Sequence, residues 1–387
     1  VLVLIGFICI LLLVVAHEAG HFFAARRNGI EVEEFGIGFP PKAKTLGVKN
    51  GTEYTLNWLP LGGFVKLKGE SDSDTRPGSF GAARLRDKIK VMVAGVGVNF
   101  LIAFLLFTFI SLIGIPQLVP DQYTIASNEI VQRQDVLAGF VAEGSPAEQA
   151  GLQQNDVIES IYPEGFCFTC LEVISEEEQQ LYDITTSDDL GQTTSRGEGS
   201  KVTISINRDG KSLRLQDVQL LSEDEVTASK ETGDEKGYLG VVPSEYSTKR
   251  YTWAAPIVGA GTTVQFTQLT LEGLGNIVTG LFQGEVKEAT EQVSGVLGIG
   301  FIFSSASFLG PVFMLMIVAV ISLSLAIMNT LPIPALDGGR LFITLLFRAM
   351  KRPLSKETEE KIHGTGFLAL MVLFVLITVV DVQRFIF

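Results

Sequence analysis

One helical turn of this sequence gathers two histidines and a glutamate. His17 and His21 stand four residues apart, with Glu18 between them. On a helix, side chains at i and i+4 share a face. Both imidazoles can therefore grip one ion, and zinc is the ion this pattern suits. Glu18 then lies beside that ion, where it can take a proton from an activated water. Ala19 and Gly20 are small and would let another backbone approach closely. The chain has only three histidines, two of them in this motif. The surrounding stretch is apolar, and ionisable groups in such a stretch are costly and functional by default.

A zinc ion held by two histidines needs a third protein ligand and an open position for water. The candidates are His363, in a polar stretch before the last apolar run, and Asp337, in Asn329-Thr330-Leu331-Pro332-Ile333-Pro334-Ala335-Leu336-Asp337-Gly338-Gly339. Pro332 and Pro334 should end a helix and force extended backbone. Gly338 and Gly339 should let the chain turn back sharply. Irregular backbone at membrane depth survives only where protein or water satisfies it. The Asn329 amide could hold a substrate backbone or a developing oxyanion, or make an interhelical hydrogen bond.

Four apolar stretches of spanning length must carry these residues: 1–25, 91–115, 308–331 and 364–386. The chain is 47% hydrophobic with a mean hydropathy of +0.34. The first stretch has no basic leader and no small-residue cleavage site, so it reads as a retained span. The net charge of −13 is uneven. Residues 26–90 hold 12 Lys/Arg against 8 Asp/Glu, and 338–366 hold 6 against 3. Residues 116–305 hold 11 against 29. Basic loops stay in the cytoplasm, which places both termini and the acidic region outside. His17 then lies about 13 Å from the inner face, and Asp337 follows the inward end of the third span at a matching depth. No region is basic enough for nucleic acid.

Between the spans, residues 52–68 alternate like a β-hairpin turning at Leu61-Gly62-Gly63. Residues 69–80 read as a mobile polar loop. The alternating run Val202–Arg208, followed by Asp209-Gly210, marks a strand and a hairpin turn. Residues 251–292 read as helical and interfacial. Cys9 is filler in the first span. Cys167 and Cys170 form a single C-x-x-C, a local disulfide or two free thiols, because one pair cannot complete a zinc site.

The sequence resembles the bacterial site-2 proteases of the RseP type, which are intramembrane zinc metalloproteases. The matching pieces are His17-Glu18-Ala19-Gly20-His21-Phe22, Arg26-Arg27, Phe35-Gly36-Ile37-Gly38-Phe39 and Leu59-Pro60-Leu61-Gly62-Gly63-Phe64-Val65-Lys66-Leu67. Further matches are Ala94-Gly95 through Asn99-Phe100, Ser294-Gly295 through Gly298-Ile299, and Asn329 to Gly339. The resemblance implies zinc on His17, His21 and Asp337, with Glu18 as catalytic base and Asn329 supporting the substrate. It also implies strand addition along Gly62, Gly63, Phe64, Val65, Lys66 and Leu67. The outer region resembles a PDZ domain through Gly144-Ser145-Pro146-Ala147 and Ala150-Gly151-Leu152. Three features depart from the family: a single PDZ unit, the insert carrying Cys167 and Cys170, and Val96 and Val296 where family members often carry Pro.

The expected architecture is a polytopic α-helical membrane protein with four spans, a membrane-associated β-hairpin and an extracytoplasmic PDZ-like α/β domain. Its divisions are a first span with the zinc motif (1–25), a cytoplasmic loop with the hairpin (26–90) and a second span (91–115). The PDZ-like domain (120–225), an interfacial helical region (226–307), the third span with the Asp-Gly-Gly segment (308–339) and the fourth span (364–387) follow. The expected enzyme sits in the bacterial inner membrane and cuts single-span membrane proteins or signal peptides, anti-sigma factors among them. Peptide termini are the expected ligands of its PDZ-like domain. The rival readings are a peptide-binding membrane scaffold and a zinc transporter; the latter is disfavoured by the lack of internal repeats.

Overall fold

The computed structural model describes residues 2–166, 182–208, 210–231, 236–283, 298, 300, 309–352 and 354–385. Cys167, Cys170 and the Ser294–Val296 motif lie outside them. The chain divides into two units. One comprises Val1–Ile113, Tyr123–Ile125 and Thr252–Phe387, and the other comprises Gly114–Gln122 and Ala126–Tyr251.

In the first unit, four helices among the described residues are long and apolar enough to cross a membrane: Ile5–Arg27, Leu85–Ile113, Pro311–Thr330 and Lys356–Gln383. They belong to α1 (Leu2–Arg27), α2 (Leu85–Ile113), α7 (Pro311–Thr330) and α9 (Lys356–Phe385). α2 and α9 begin earlier than the apolar pattern indicates, because their first turns carry charge. His363 is consequently a helical residue rather than a loop residue. α1, α2 and α7 meet through Leu13, Met314 and Val318, with Cys9, Ile102 and Leu106 packed against them. Ser322 Oγ of α7 donates to the Asn99 carbonyl of α2 at 2.9 Å. Such polar contacts tie apolar helices where burial alone gives no preference. α6 (Ala255–Gln283) is helical as expected and stacks Phe266 on Phe107 of α2 at 5.7 Å. The short helix α8 (Asp337–Ala349) lies between α7 and α9 in sequence.

The hairpin differs from the sequence reading. Its arms are β1 (Val32–Lys49) and β2 (Thr52–Leu67). The turn is Asn50-Gly51, both left-handed at φ 51° and 82°, which is the backbone a two-residue Asn-Gly hairpin requires. β2 does not fold back on itself at Leu61-Gly62-Gly63. Residues 35–37 lie between its two halves: Phe35 pairs with Tyr54 and Val65, Gly36 with Thr55 and Phe64, Ile37 with Leu56 and Gly63. The spatial order is thus 42–49, 52–57, 32–37, 63–67. Gly62, at φ 102°, bends β2 around this insertion. Segment 63–67 is paired on one side only within this sheet. Leu46, Val48, Trp58 and Leu59 project from the outer part as exposed apolar side chains.

The loop 69–80 is pinned, contrary to the expectation of mobility. Phe80 is buried and its N–H donates to the Lys68 carbonyl. Asp74 accepts from Arg76 Nε and N, and this guanidinium pulls its carboxyl down to about 2. Lys88 pairs with Asp72. Glu359 of α9 accepts from Ser71 Oγ and Asp72 N, and Arg340 of α8 donates to the Glu70 carbonyl.

The second unit is a six-stranded antiparallel sheet in the order β3-β8-β4-β5-β6-β7. Its strands are β3 (Ile115–Pro116), β4 (Ile130–Val141), β5 (Val157–Pro163), β6 (Lys201–Arg208), β7 (Lys211–Gln219) and β8 (Val241–Arg250). Alternating residues such as Val136, Ala138, Ile158, Ile204 and Ile206 form its core. The helix α3 (Pro146–Gln149) is capped by Ser145 and carries Pro at its start, where a missing N–H costs nothing. Two further helices, α4 (Ser187–Arg196) and α5 (Glu223–Glu231), complete it. The unit runs to Tyr251 rather than ending near 225. β8 returns to pair with β4 along its length, and its run of Ser, Thr, Glu and Lys hides the strand in the sequence. Asp156, 2% exposed, takes a bidentate pair of bonds from Arg208 at 2.6 and 2.7 Å. Arg208→Met should destabilise this unit by about 3 kcal/mol, since it strands a buried carboxylate. Faster hydrogen exchange of the β5–β6 amides in the full chain is the readout.

Candidate metal centre

The helical geometry of α1 turns His17 and His21 to one side, where the residues are 6% and 8% exposed. Both face α2. His21 Nδ1 bonds the Val91 carbonyl at 2.7 Å, and His17 Nδ1 lies 3.3 Å from Asn99 Nδ2. Val91, Gly95 and Asn99 are spaced by four, so one stripe of α2 faces the histidine pair. At its centre Gly95 leaves the room that the rings fill. A Cβ there would overlap His21 Nε2 and come within 2.7 Å of His17 Nε2. Gly20 of α1 permits the approach from the other side, its missing Cβ lying 2.8 Å from the Ala94 carbonyl.

With both Nδ1 atoms turned to α2, the two Nε2 atoms face each other at 3.1 Å. Asp337 Oδ2 lies 3.0 Å from His17 Nε2 and 3.1 Å from His21 Nε2. These three are the cluster of metal-ligating type among the described residues. His363 is not part of it; its Nδ1 accepts instead from the Ala335 N–H at 3.1 Å. The donor set fits zinc. Two imidazole nitrogens and one carboxylate oxygen are a catalytic-type triad, and ligands at ~2.0–2.1 Å in a tetrahedron stand roughly 3.3 Å apart.

Asp337 reaches the histidines through an unusual backbone path. α7 ends at Thr330, Leu331 is extended, and the chain passes Pro332 and Pro334. The reversal occurs at Ala335, at φ 79°, rather than at the glycines. A residue with a Cβ held there is strained, and the His363 bond to its N–H helps hold it. Asp337 then opens α8. Gly338 and Gly339 serve close approach: a Cβ on them would overlap the Thr330 and Ile333 carbonyls. Gly339→Ala should therefore cost about 1–3 kcal/mol by overpacking. If that strain falls on Asp337, zinc binding weakens roughly 5- to 150-fold, which a chelator competition would measure.

Glu18 is half-buried beside the cluster. It lines a cavity of about 90 Å³ with His21, Val65, Asp337 and Arg340. The missing Cβ of Gly63 lies 3.6 Å from its Cγ, and the Val65 N–H is directed at its carboxylate. The one-sided segment of β2 thus runs past the candidate base. A larger cavity of about 860 Å³ opens onto Asp337 between the 66–76 segment and α9. Asn329 sits half-buried in the last turn of α7 and lines neither cavity. Val91, Gly95 and Asn99 carry no metal-ligand signature; the resemblance over Ala94-Gly95 through Asn99-Phe100 covers two of them, and their fourfold spacing matches that of His17 and His21.

The family model for "Peptidase family M50" matches residues 5–373. The chain belongs to peptidase family M50. A Campylobacter jejuni protein named as a zinc metalloprotease is 31% identical over 97% of this chain and 91% of its own length. A Clostridium perfringens protein so named is 31% identical over 96% and 95%. The regulator of sigma-W protease RasP of Bacillus subtilis is 25% identical over 96% of each chain. This M50 peptidase is a zinc metalloendopeptidase of the site-2 protease type. Its four helices of spanning length and composition among the described residues are consistent with a polytopic membrane protein. Family membership removes the scaffold and the transporter readings.

Proposed function

We propose that this M50 peptidase hydrolyses peptide bonds within or near the transmembrane segments of its substrates, using zinc held by His17, His21 and Asp337. The observation that carries this reading is the convergence of His17 Nε2, His21 Nε2 and Asp337 Oδ2 within 3.1 Å of one another, with both histidines and Glu18 on a helix long and apolar enough to span a membrane. When bound, zinc supplies Lewis-acid polarisation of the scissile carbonyl and acidifies the attacking water. Glu18 takes the proton of that water and passes it to the leaving amine. Asn329 steadies the substrate backbone or the developing oxyanion from the end of α7.

A substrate helix hides its amides and must unwind before cleavage. The free side of residues 63–67 can hold the unwound segment by strand addition, with Gly62, Gly63, Phe64, Val65, Lys66 and Leu67 running past Glu18. The exposed apolar side chains at 46, 48, 58 and 59 suit a sheet embedded in lipid. The charge bias of the loops supports a site towards the cytoplasmic face of the bacterial inner membrane. Both termini and the six-stranded unit then lie outside. That unit is PDZ-like and selects substrates through a peptide terminus. The substrates are single-span membrane proteins, such as anti-sigma factors, or signal peptides left in the bilayer; the sigma-W regulator among the relatives accords with the first.

The test is purified full-length protein in detergent with a labelled single-span substrate. Products cut inside the apolar segment, lost on chelation and regained with zinc, are expected. Cleavage confined to soluble loops, or insensitive to chelation, would contradict the reading.

A further inference from the structure

We propose that Asn99 is the positioning residue for His17: its side-chain amide turns so that Oδ1 accepts from the His17 Nδ1–H when metal is bound. The proposal rests on His17 being a zinc ligand through Nε2, as proposed above.

Asn99 is 1% exposed and lies in the middle of α2, a helix of spanning character. A buried amide there is costly unless its polar atoms are used. Its Nδ2 is 3.3 Å from His17 Nδ1, while its Oδ1 is buried with no hydrogen-bond partner among the described residues. In this orientation the amide is a donor, so His17 Nδ1 must be unprotonated and Nε2 must carry the proton. That tautomer can donate from Nε2 to Asp337 Oδ2, 3.0 Å away, but it cannot bind a cation through Nε2. A metal requires the Nε2 lone pair, which moves the proton to Nδ1. Two donors would then face each other across 3.3 Å. Rotating the amide by half a turn exchanges Nδ2 for Oδ1 at nearly constant shape and gives the unpartnered oxygen a donor.

His21 is arranged differently. Its Nδ1 meets a fixed acceptor, the Val91 carbonyl, at 2.7 Å. That carbonyl already selects the metal-binding tautomer at His21. One turn pair further along α2, His17 has a partner that can serve either tautomer. Asn is the residue type that does this, since it carries a donor and an acceptor on one rotatable plane. Outer partners of ligating histidines set ring orientation and tautomer, and their loss typically weakens metal binding 10- to 100-fold. Asn99 touches neither substrate nor metal, and acts through His17.

The test measures zinc affinity of the full-length protein in detergent by chelator competition. Its variants are Asn99→Leu, Asn99→Asp and His17→Ala, alongside ¹⁵N-histidine spectra of the zinc-loaded wild type. With three histidines in the chain, the imidazole signals can be assigned. Asn99→Leu should bind zinc about 10- to 100-fold more weakly. Asn99→Asp keeps the acceptor and should bind at least as tightly as wild type. The zinc-loaded wild type should carry the His17 proton on Nδ1. Wild-type affinity in Asn99→Leu, or equal losses in Asn99→Leu and Asn99→Asp, would overturn the proposal. So would a deprotonated His17 Nδ1, which needs no variant to fold. Stoichiometric zinc in His17→Ala would instead overturn the ligand assignment on which the proposal rests.

Discussion

Glu18→Gln is expected to bind zinc as the wild type does and to cut its substrate roughly 10²- to 10⁴-fold more slowly, the range a general base contributes. Glu18 lies outside the cluster of His17, His21 and Asp337, so removing its charge leaves the donor set intact. The isosteric amide still lines the 90 Å³ cavity beside Val65 and Arg340. It can no longer accept a proton from water. Zinc content and turnover measured on one preparation separate the two effects. Loss of zinc together with activity would make Glu18 part of the binding set. Retention of both would place the base elsewhere.

Gly95→Ala is expected to abolish activity through the opposite route, by loss of the metal. The added methyl would overlap His21 Nε2 and lie 2.7 Å from His17 Nε2 and Cε1. Neither ring can retreat easily. Each is held through Nδ1 by the same helix, at the Val91 carbonyl and at Asn99. The loss in zinc affinity should exceed about 100-fold, the upper end for an outer partner, because the ligand atoms themselves are displaced. Gly97→Ala is the control. It stands two residues further along α2 with open space where its methyl would go, so zinc binding and activity should stay at wild-type levels. Equal zinc content in both variants would mean that α2 does not press on the site.

The contrast between those two glycines shows where sequence reasoning stops. Both read as small residues in an apolar run, and only the packing of α1 on α2 separates them. The His17-Glu18-His21 pattern was legible because its three residues share one local helix. Asp337 was legible as a candidate because an acid beside two prolines and two glycines is hard to explain otherwise. The resemblance and the matching depth favoured it over His363, and the structure puts His363 under Ala335 instead. The turn itself was misassigned: the glycines are there for close approach, and a strained alanine makes the reversal.

Hydropathy located the four helices long and apolar enough to span a membrane, yet it missed the charged first turns of α2 and α9, since charge does not end a helix. The β-sheet was harder. Alternation at 52–68 was real, but alternation does not name a strand's partner. The Asn50-Gly51 turn carried the usable signal, and the placement of residues 35–37 between the halves of β2 is non-local. β8 was missed for a related reason: its polar residues are satisfied by pairing with β4 rather than by burial. The loop 69–80 looked mobile because its anchors, Arg340 and Glu359, lie more than 250 residues away.

The central claim is that one zinc ion sits between α1 and the Asp337 segment. X-ray absorption at the zinc edge of full-length Glu18→Gln protein tests it most directly. The expected result is one zinc per chain with nitrogen and oxygen neighbours at ~2.0–2.2 Å, two of them imidazoles, and loss of that signature in Asp337→Ala. A sulfur shell near ~2.3 Å, as Cys167 and Cys170 would give, or an unchanged spectrum in Asp337→Ala, would contradict it.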